Sequence, residues 1–338
     1  MLRTIAAGNR RISLGALLFC AGLTFWIGNM LLHTGGAGFA ALSTSMLFLI
    51  ALLLVTCVTR TTRIGRLAGF YCLGGTMMSV MYLVALAIGT VEPNIDAPVR
   101  QFLVPFMEET LKLAPVAFIL WRQRNAQLWT LGASDVLLMA AASGAGFGLV
   151  EDAYIRMHNG GWQSPVEWLP LAHVYGDHLS VGHGTWTSIA GATLGLALLW
   201  RRGGRARYVL AAGGWFWAFL DHSANNYSVA RSGPSVDLLQ AINGHGYFSV
   251  AFFFAAVVVV VAADLYVVHG TLPLNLQSAS RFRLGLKAIG AWWIATLERR
   301  KLAYLMFHAR AETGPRRAEL LINGALMHYA LTTAPAGG

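Results

Sequence analysis

Apolar segments of about 20 residues, separated by short polar loops, recur along this chain and constrain its fold more than any other feature. A helix needs about 20 apolar residues to cross the ~30 Å hydrocarbon core of a bilayer. Eight such windows occur, at 13–33, 37–58, 67–90, 105–121, 135–157, 183–200, 208–227 and 247–268. Only 12% of the residues are charged, about half the usual share in a soluble protein. The sequence therefore predicts an all-α fold, a polytopic transmembrane helical bundle with about eight membrane-spanning helices in residues 1–268.

Lys and Arg gather in every second loop, and this alternation predicts how the helices are oriented. Basic clusters precede the first window and occupy 60–66, 122–124, 201–207 and the C-terminal segment, whereas the loops between them hold few basic residues or none. Because short cytoplasmic loops are enriched in Lys and Arg, we expect a multi-pass plasma-membrane protein with both termini in the cytoplasm. The first window is long enough to span and no small-residue cleavage site follows it, so we expect it to be retained.

The formal net charge of +10 is likewise attributed to Lys and Arg on the predicted cytoplasmic face. A basic cytoplasmic face attracts anionic lipid, so the charge predicts the lipid bilayer as a partner and does not require nucleic acid. Residues 269–338 mix basic and apolar residues. This composition predicts a basic amphipathic cytoplasmic tail that lies at the membrane interface.

Ionisable side chains within the predicted helices form a second pattern. Such groups are costly at membrane depth unless they are paired or line a wet cavity, so they mark function by default. Those that the predicted topology places near one membrane surface are Glu108, Glu109 and Lys112 in the fourth window, Glu151 and Asp152 in the fifth, His183 at the start of the sixth, and Asp221 and His222 in the seventh, with the polar Asn226 one turn further on. With both termini inside, all of them fall near the outer surface. The sequence therefore predicts a site that opens toward the extracytoplasmic side.

Each of these residues also has a purely structural explanation. Glu108 and Glu109 follow Pro105, so they could lie in the first turn of a helix, where the helix dipole favours carboxylates. Lys112 would then be a salt-bridge partner one turn further on. The residues of the fifth, sixth and seventh windows could lie at helix ends at the membrane interface, or could make hydrogen bonds between helices. Their joint occurrence on four helices favours a function.

In order and spacing, four motifs resemble those of the PrsW-type intramembrane proteases, which share a superfamily with the CAAX prenyl endopeptidases and bacteriocin-processing proteins. The motifs are Glu108-Glu109-x-x-Lys112, a glycine-rich helix ending in Glu151-Asp152, His183 at the start of a helix of small residues, and His222-x-x-x-Asn226. The resemblance covers about residues 100–230. Asp152 stands where the family usually has Asn, and Asn225 stands where Trp is common.

The resemblance implies an intramembrane endopeptidase that hydrolyses a peptide bond in a membrane-anchored protein, such as an anti-sigma-factor-like regulator. A partly desolvated carboxylate can take a proton from water and act as a general base. We assign this role to Glu108, with Glu109 as the alternative. Neighbouring helix residues point about 100° apart, so the two carboxylates cannot both face the same way. One of the two is expected to face the cavity and the other to pair with Lys112.

His183, His222, Glu151 and Asn226 complete the site in one of two ways. In a metal-dependent version, His183, His222 and Glu151 form a three-ligand set with an open fourth position, as in catalytic zinc sites. In a metal-free version, the histidines orient water and Asn226 donates a hydrogen bond to the oxyanion. No His-Glu-x-x-His helix occurs, so the sequence does not choose between them.

Two other classes of function fit the same residues. One is a proton- or cation-coupled membrane transporter, in which polar residues are expected to be distributed through the bilayer; here they gather near one face. The other is a catalytically inactive membrane scaffold that keeps the fold and binds membrane partners without cutting them.

Overall fold

The computed structural model describes most of the chain between residues 36 and 312. The described residues are 28, 36–91, 97–122, 130–159, 171–175, 178–200, 203–230, 233–271, 286–312, 318–319, 322–324 and 326. The predicted helix at 13–33 lies outside this set apart from residue 28.

Helices make up almost all of the described chain, and the predicted all-α class is confirmed. The helices are α1 (Gly36–Val55), α2 (Ile64–Val91), α3 (Ala97–Arg122), α4 (Ala133–Asn159), α5 (His183–Leu199), α6 (Ala206–Ala230), α7 (Pro234–Asn243), α8 (Tyr247–Thr271) and α9 (Leu286–Glu312). A short antiparallel hairpin, β1 (Ala172–Tyr175) and β2 (His178–Val181), precedes α5. The seven windows from 37–58 onward each coincide with one helix, whereas α7, α9 and the hairpin were not predicted.

The start of α3 differs most from its predicted window, 105–121. Arg100 and Gln101 interrupt the apolar run but do not interrupt the helix, which begins at Ala97 and continues through Pro105. Glu108 and Glu109 therefore lie in the interior of α3. A first-turn position, the structural explanation considered for these two carboxylates, does not apply to them.

Three described helical segments are long and apolar enough to cross a membrane: Ile64–Ala87, Ala133–Ala153 and Pro234–Thr271. Ala41–Val55 is a shorter apolar helix. This finding supports a helical membrane protein. The count of eight spans and the orientation of the termini stay predictions.

Helix α4 forms the centre of the fold and contacts α1, α2, α3, α5 and α8. Small residues let the neighbouring backbones approach closely. A Cβ atom on Gly146 would overlap the Tyr71 backbone of α2, and one on Gly74 of α2 would overlap the Ser143 backbone of α4. The packing of α2 on α4 thus depends on glycine on both helices.

Two buried carboxylates fix the N-terminal end of α4. Asp135 accepts hydrogen bonds from the backbone N–H of Thr61 at 2.7 Å and of Gly132 at 2.9 Å. Asp264 of α8 accepts one from the backbone N–H of Ser134 at 2.7 Å. Backbone N–H groups in the first turn of a helix have no intrahelical partner, so these carboxylates satisfy them. They also tie α8 and the α1–α2 loop to α4.

Helix α9 packs on the C-terminal end of α8 and on the α1–α2 loop. Arg300 Nη1 donates to the Cys57 carbonyl at 2.5 Å, and the Tyr304 hydroxyl donates to the Thr59 carbonyl at 3.1 Å. Tyr304 is fully buried. Part of the predicted tail 269–338 is therefore bound to the helical body, while its amphipathic and cytoplasmic character stays a prediction.

Replacing Tyr304 by Phe is expected to lower the free energy of unfolding by about 1 kcal/mol, because the buried Thr59 carbonyl loses its donor. Tyr266→Phe on α8 is the matched control, since Tyr266 is exposed. Unfolding of both variants in mixed micelles measures the difference. Equal stability of Tyr304→Phe and wild type would contradict the docking of α9.

Candidate active site

Four helices bring ionisable side chains together at one buried position, as the sequence predicted for a joint site. Helix α3 supplies Glu108, Glu109 and Lys112, α4 supplies Glu151, α5 supplies His183, and α6 supplies His222. The contacts among these residues are side chain to side chain, and they join segments far apart in the sequence.

Glu109 is the anchor of this cluster. One of its oxygens, Oε1, lies 2.6 Å from Lys112 Nζ and 2.8 Å from His222 Nδ1. Glu109 and Lys112 are three residues apart and so share one face of α3. The carboxylate therefore neutralises a fully buried ammonium and orients the imidazole on α6.

His183 is held from both sides of its ring. Its Nδ1 lies 2.6 Å from Lys112 Nζ, and its Nε2 lies 2.6 Å from Glu151 Oε2. Gly148 of α4 leaves room for this ring, because a Cβ atom there would lie 3.2 Å from the His183 side chain. The glycine-rich part of α4 thus places His183 against Glu151.

Glu108 differs from its neighbour Glu109. Its Oε2 is buried and has no hydrogen-bond partner among the described residues. The same oxygen lies 3.6 Å from His222 Nε2 and 3.8 Å from Lys112 Nζ. A buried polar atom without a partner is costly, so this oxygen is free to take a ligand, a proton or a water molecule.

An aromatic wall beside the cluster was not predicted, and Asp221, one of the polar residues noted in the seventh window, lies buried behind it. Trp186 stacks on the His222 ring, with 4.2 Å between centroids, and its Nε1 donates to Asp221 Oδ2 at 2.7 Å. Asp221 also accepts from Asn243 of α7 at 2.8 Å and from Ser249 of α8 at 2.5 Å. Residue spacing along one helix predicts neither the stacking of Trp186 on His222 nor the hydrogen bonds of Asp221, because both join different helices.

Asn226 and Asp152 lie at the edge of the cluster. Asn226 follows His222 by one turn on α6 and is partly exposed. Within the described chain, no hydrogen bond joins it to the other site residues. Asp152 follows Glu151 on α4 and is also partly exposed. The structure places both near the site, and their roles stay predictions.

Three of the side chains form a donor set that suits a divalent metal ion. Glu108, His183 and His222 each offer a ligand atom within 4.8 Å of the other two. Two imidazoles and one carboxylate are a common ligand set of catalytic zinc, and the partnerless Glu108 oxygen is an atom that such an ion would bind. The donor chemistry therefore fits a metal ion.

This donor set contains Glu108, whereas the sequence predicted Glu151 as the carboxylate beside the two histidines. Two ligand atoms on one zinc ion lie about 3.3 Å apart, for zinc–ligand distances of about 2.0–2.1 Å. Glu151 Oε2 is only 2.6 Å from His183 Nε2, so these two atoms contact each other directly. Metal binding by His183 and His222, with either carboxylate, stays a prediction.

The fold and the cluster together define a helical membrane protein with a buried acid–base site. A family model described as PrsW family intramembrane metalloprotease matches residues 44–263, and the chain belongs to this family. The predicted resemblance is thus confirmed, over a longer stretch than the 100–230 that carried the motifs. No match was found among curated proteins or among solved structures. Membership makes the chain a membrane protein of a protease family.

Proposed function

We propose that this protein is an intramembrane endopeptidase that hydrolyses a peptide bond in a membrane-anchored protein substrate, with Glu108 as the base that activates water. One observation carries the proposal. The buried Glu108 Oε2 has no hydrogen-bond partner among the described residues and faces His222 Nε2 at 3.6 Å. A buried carboxylate oxygen that faces a second acceptor and has no donor is suited to bind a reacting water molecule.

The geometry leaves room for that water. An oxygen atom placed about 2.8 Å from both Glu108 Oε2 and His222 Nε2 is at normal hydrogen-bonding distance from each, since the two atoms are 3.6 Å apart. His222 Nδ1 lies against the Glu109 carboxylate at 2.8 Å, so it carries the ring proton and Nε2 is an acceptor. Both atoms facing the water are therefore acceptors, and we assign the role of base to Glu108.

The remaining steps use the same residues. Glu108 takes a proton from the water as the water oxygen bonds to the scissile carbonyl carbon. The C–N bond then breaks, and Glu108 returns the proton to the leaving amine as a general acid. We assign to Asn226, one turn from His222, the hydrogen bond to the oxyanion. In the metal-dependent version, a divalent ion held by His183, His222 and Glu151 would supply Lewis acidity to the carbonyl.

Family membership and the three candidate spans support a protease that works on substrates in the bilayer. We propose a multi-pass plasma-membrane protein with both termini in the cytoplasm and the site toward the extracytoplasmic side. Regulators of the anti-sigma-factor kind remain the proposed substrates. Protease family membership favours this function over a transporter or an inactive scaffold.

The test is cleavage of tagged single-span reporter proteins by the purified full-length protein in lipid. Glu108→Gln is expected to reduce the cleavage rate by about 10²–10⁴-fold, the usual contribution of a general base. Glu298→Gln on α9 is the matched control, because Glu298 pairs with Lys301 rather than with the site, and it should cut at the wild-type rate. Wild-type cleavage by Glu108→Gln would overturn the assignment.

A chelator added to wild type addresses the metal ion separately. Cleavage that stops with the chelator and returns with zinc would support the metal-dependent version. Cleavage that is insensitive to the chelator would support water activation by Glu108 without a metal ion. In both cases Glu108→Gln is expected to be inactive.

A further inference from the structure

Trp186 of α5 is a buried aromatic side chain that contacts both histidines of the cluster. Its ring stacks on His222 of α6, with 4.2 Å between centroids and 19° between planes. It also meets the His183 ring edge to face, with 5.3 Å between centroids and 72° between planes. Because Trp186 follows His183 by three residues, the two side chains share one face of α5. The indole thus fills the space beside both imidazoles.

The indole is held in turn by Asp221, the residue that precedes His222 on α6. Asp221 Oδ2 lies 2.7 Å from Trp186 Nε1. An indole N–H only donates, so Asp221 is the acceptor of this bond. Both side chains are 2% exposed, so water does not compete for the contact.

Two further contacts fix the Asp221 carboxyl group. Its Oδ1 accepts a hydrogen bond from Asn243 Nδ2 of α7 at 2.8 Å, and its Oδ2 accepts one from Ser249 Oγ of α8 at 2.5 Å. Both partners are buried. The carboxyl group cannot rotate without losing contacts to two other helices, so the acceptor that it offers to Trp186 is fixed in place.

We propose that Trp186 and Asp221 are positioning residues that together set the plane of the His222 ring. Asp221 fixes the indole through its N–H group, and the indole fixes His222 by stacking. The position of the ring is independent of the function proposed above, whereas its importance for cleavage rests on that function. It is needed in both the metal-dependent and the metal-free version, since His222 takes part in each.

The plane of the His222 ring decides where its nitrogen atoms point. The torsion that rotates a histidine ring is soft, so the contact of Nδ1 with Glu109 at 2.8 Å does not fix the plane by itself. Aromatic rings prefer defined stacked or edge-to-face arrangements, and a flat indole at stacking distance limits the rotation. Nε2 is then kept toward Glu108 Oε2, 3.6 Å away, where we place the reacting water.

Proton–carbon NMR of the full-length protein, labelled on histidine and held in lipid, tests the proposal. His222 is assigned by comparison with His222→Gln. In wild type, the ring current of the stacked indole is expected to shift the carbon-bound ring protons of His222 upfield. Trp186→Leu is expected to abolish this shift, and Trp186→Phe to keep part of it. Asp221→Leu is expected to reduce it, because the indole loses its acceptor.

Asn243→Ala is the matched control, because Asp221 also has a purely structural explanation as the group that fastens α7 to α6. This variant removes one partner of Asp221 and keeps the bond to Trp186, so the His222 protons are expected to stay at their wild-type positions. Equal shifts in Asn243→Ala and Asp221→Leu would overturn the role of Asp221. Unchanged His222 protons in Trp186→Leu would overturn the role of Trp186.

A second variant keeps the proposal testable if Asp221→Leu fails to fold. Asp221→Asn has nearly the same shape, and it replaces the carboxyl oxygen beside Trp186 Nε1 by an amide group. The indole N–H resonance of Trp186, assigned by its absence in Trp186→Phe, is expected to move because its acceptor changes. A resonance that stays at the wild-type position would overturn the assigned contact.

Reporter cleavage gives a separate readout that depends on the proposed function. Trp186→Leu is expected to lower kcat by about tenfold to 10²-fold, the scale of loss when a reacting group is misplaced, with KM unchanged. Trp186→Phe should restore part of the rate. An unchanged kcat in Trp186→Leu would overturn the importance of the ring plane for cleavage. A wild type that shows the shifted His222 protons and cuts no reporter would contradict the proposed function alone.

Discussion

Replacing Glu109 by Leu is expected to abolish cleavage and to lower the free energy of unfolding by about 3–5 kcal/mol, the usual cost of removing one partner of a buried ion pair. Glu109 contacts both Lys112 and His222 and is buried with them. Its loss leaves an ammonium without its closest counter-charge and an imidazole without its acceptor. The effect on stability therefore accompanies the effect on activity.

The same change one residue earlier gives the matched control. Glu108→Leu is also expected to abolish cleavage but to destabilise less, because Glu108 Oε2 makes no hydrogen bond and lies 3.8 Å from Lys112 Nζ, against 2.6 Å for Glu109. Unfolding in mixed micelles and reporter cleavage in lipid measure both variants. Equal destabilisation by the two substitutions would contradict the division of roles between the adjacent carboxylates.

Replacing Gly74 by Ala is expected to destabilise the protein by about 3 kcal/mol or more, the upper range for overpacking a close-packed core. The new Cβ atom would overlap the Ser143 backbone of α4, and backbone at the centre of the bundle cannot move aside as a side chain does. Helices α2 and α4 must therefore separate along their contact. Since Ser143 Oγ also donates to the Lys112 carbonyl at 2.6 Å, cleavage is expected to fall as well.

Gly69→Ala on the same helix is the control for this substitution. A Cβ atom there has no neighbour within 4 Å, so the change should stabilise α2 by about 0.8–1.0 kcal/mol through helix propensity. Unfolding midpoints of the two variants are expected to move in opposite directions. A shift in the same direction would contradict the backbone contact between α2 and α4.

The helices were predictable because their signal is local. A run of about 20 apolar residues specifies a membrane helix without knowledge of its neighbours, and α2, α4 and α8 coincide with such runs. The hairpin and α7 were missed because they are short and lack that signal. Helix α9 was missed as a docked element because its contacts, from Arg300 and Tyr304 to the α1–α2 loop, join residues more than 200 positions apart.

The site was predictable in its membership more than in its connections. Ionisable residues within apolar helices stand out in the sequence, so Glu108, Glu109, His183 and His222 were named as candidates, and the structure brings them together. Both carboxylates lie within one turn of Lys112 on α3, and the structure places Glu109 closer to its ammonium, at 2.6 Å against 3.8 Å for Glu108. The roles of Asp221 and Trp186 depend on packing between helices, which residue spacing does not specify.

The distance along the chain between Glu109 and its partners has a consequence for biosynthesis. His183 lies 71 residues after Lys112, and His222 lies 113 residues after Glu109. While the ribosome is still translating the segment between them, the charges of α3 have no partners on other helices, and insertion scales put the cost of each charge at the centre of a membrane helix at about 2.5–3.5 kcal/mol. A chain that ends before His222 therefore has the Glu109–Lys112 pair of α3 but lacks the imidazole that Glu109 contacts on α6.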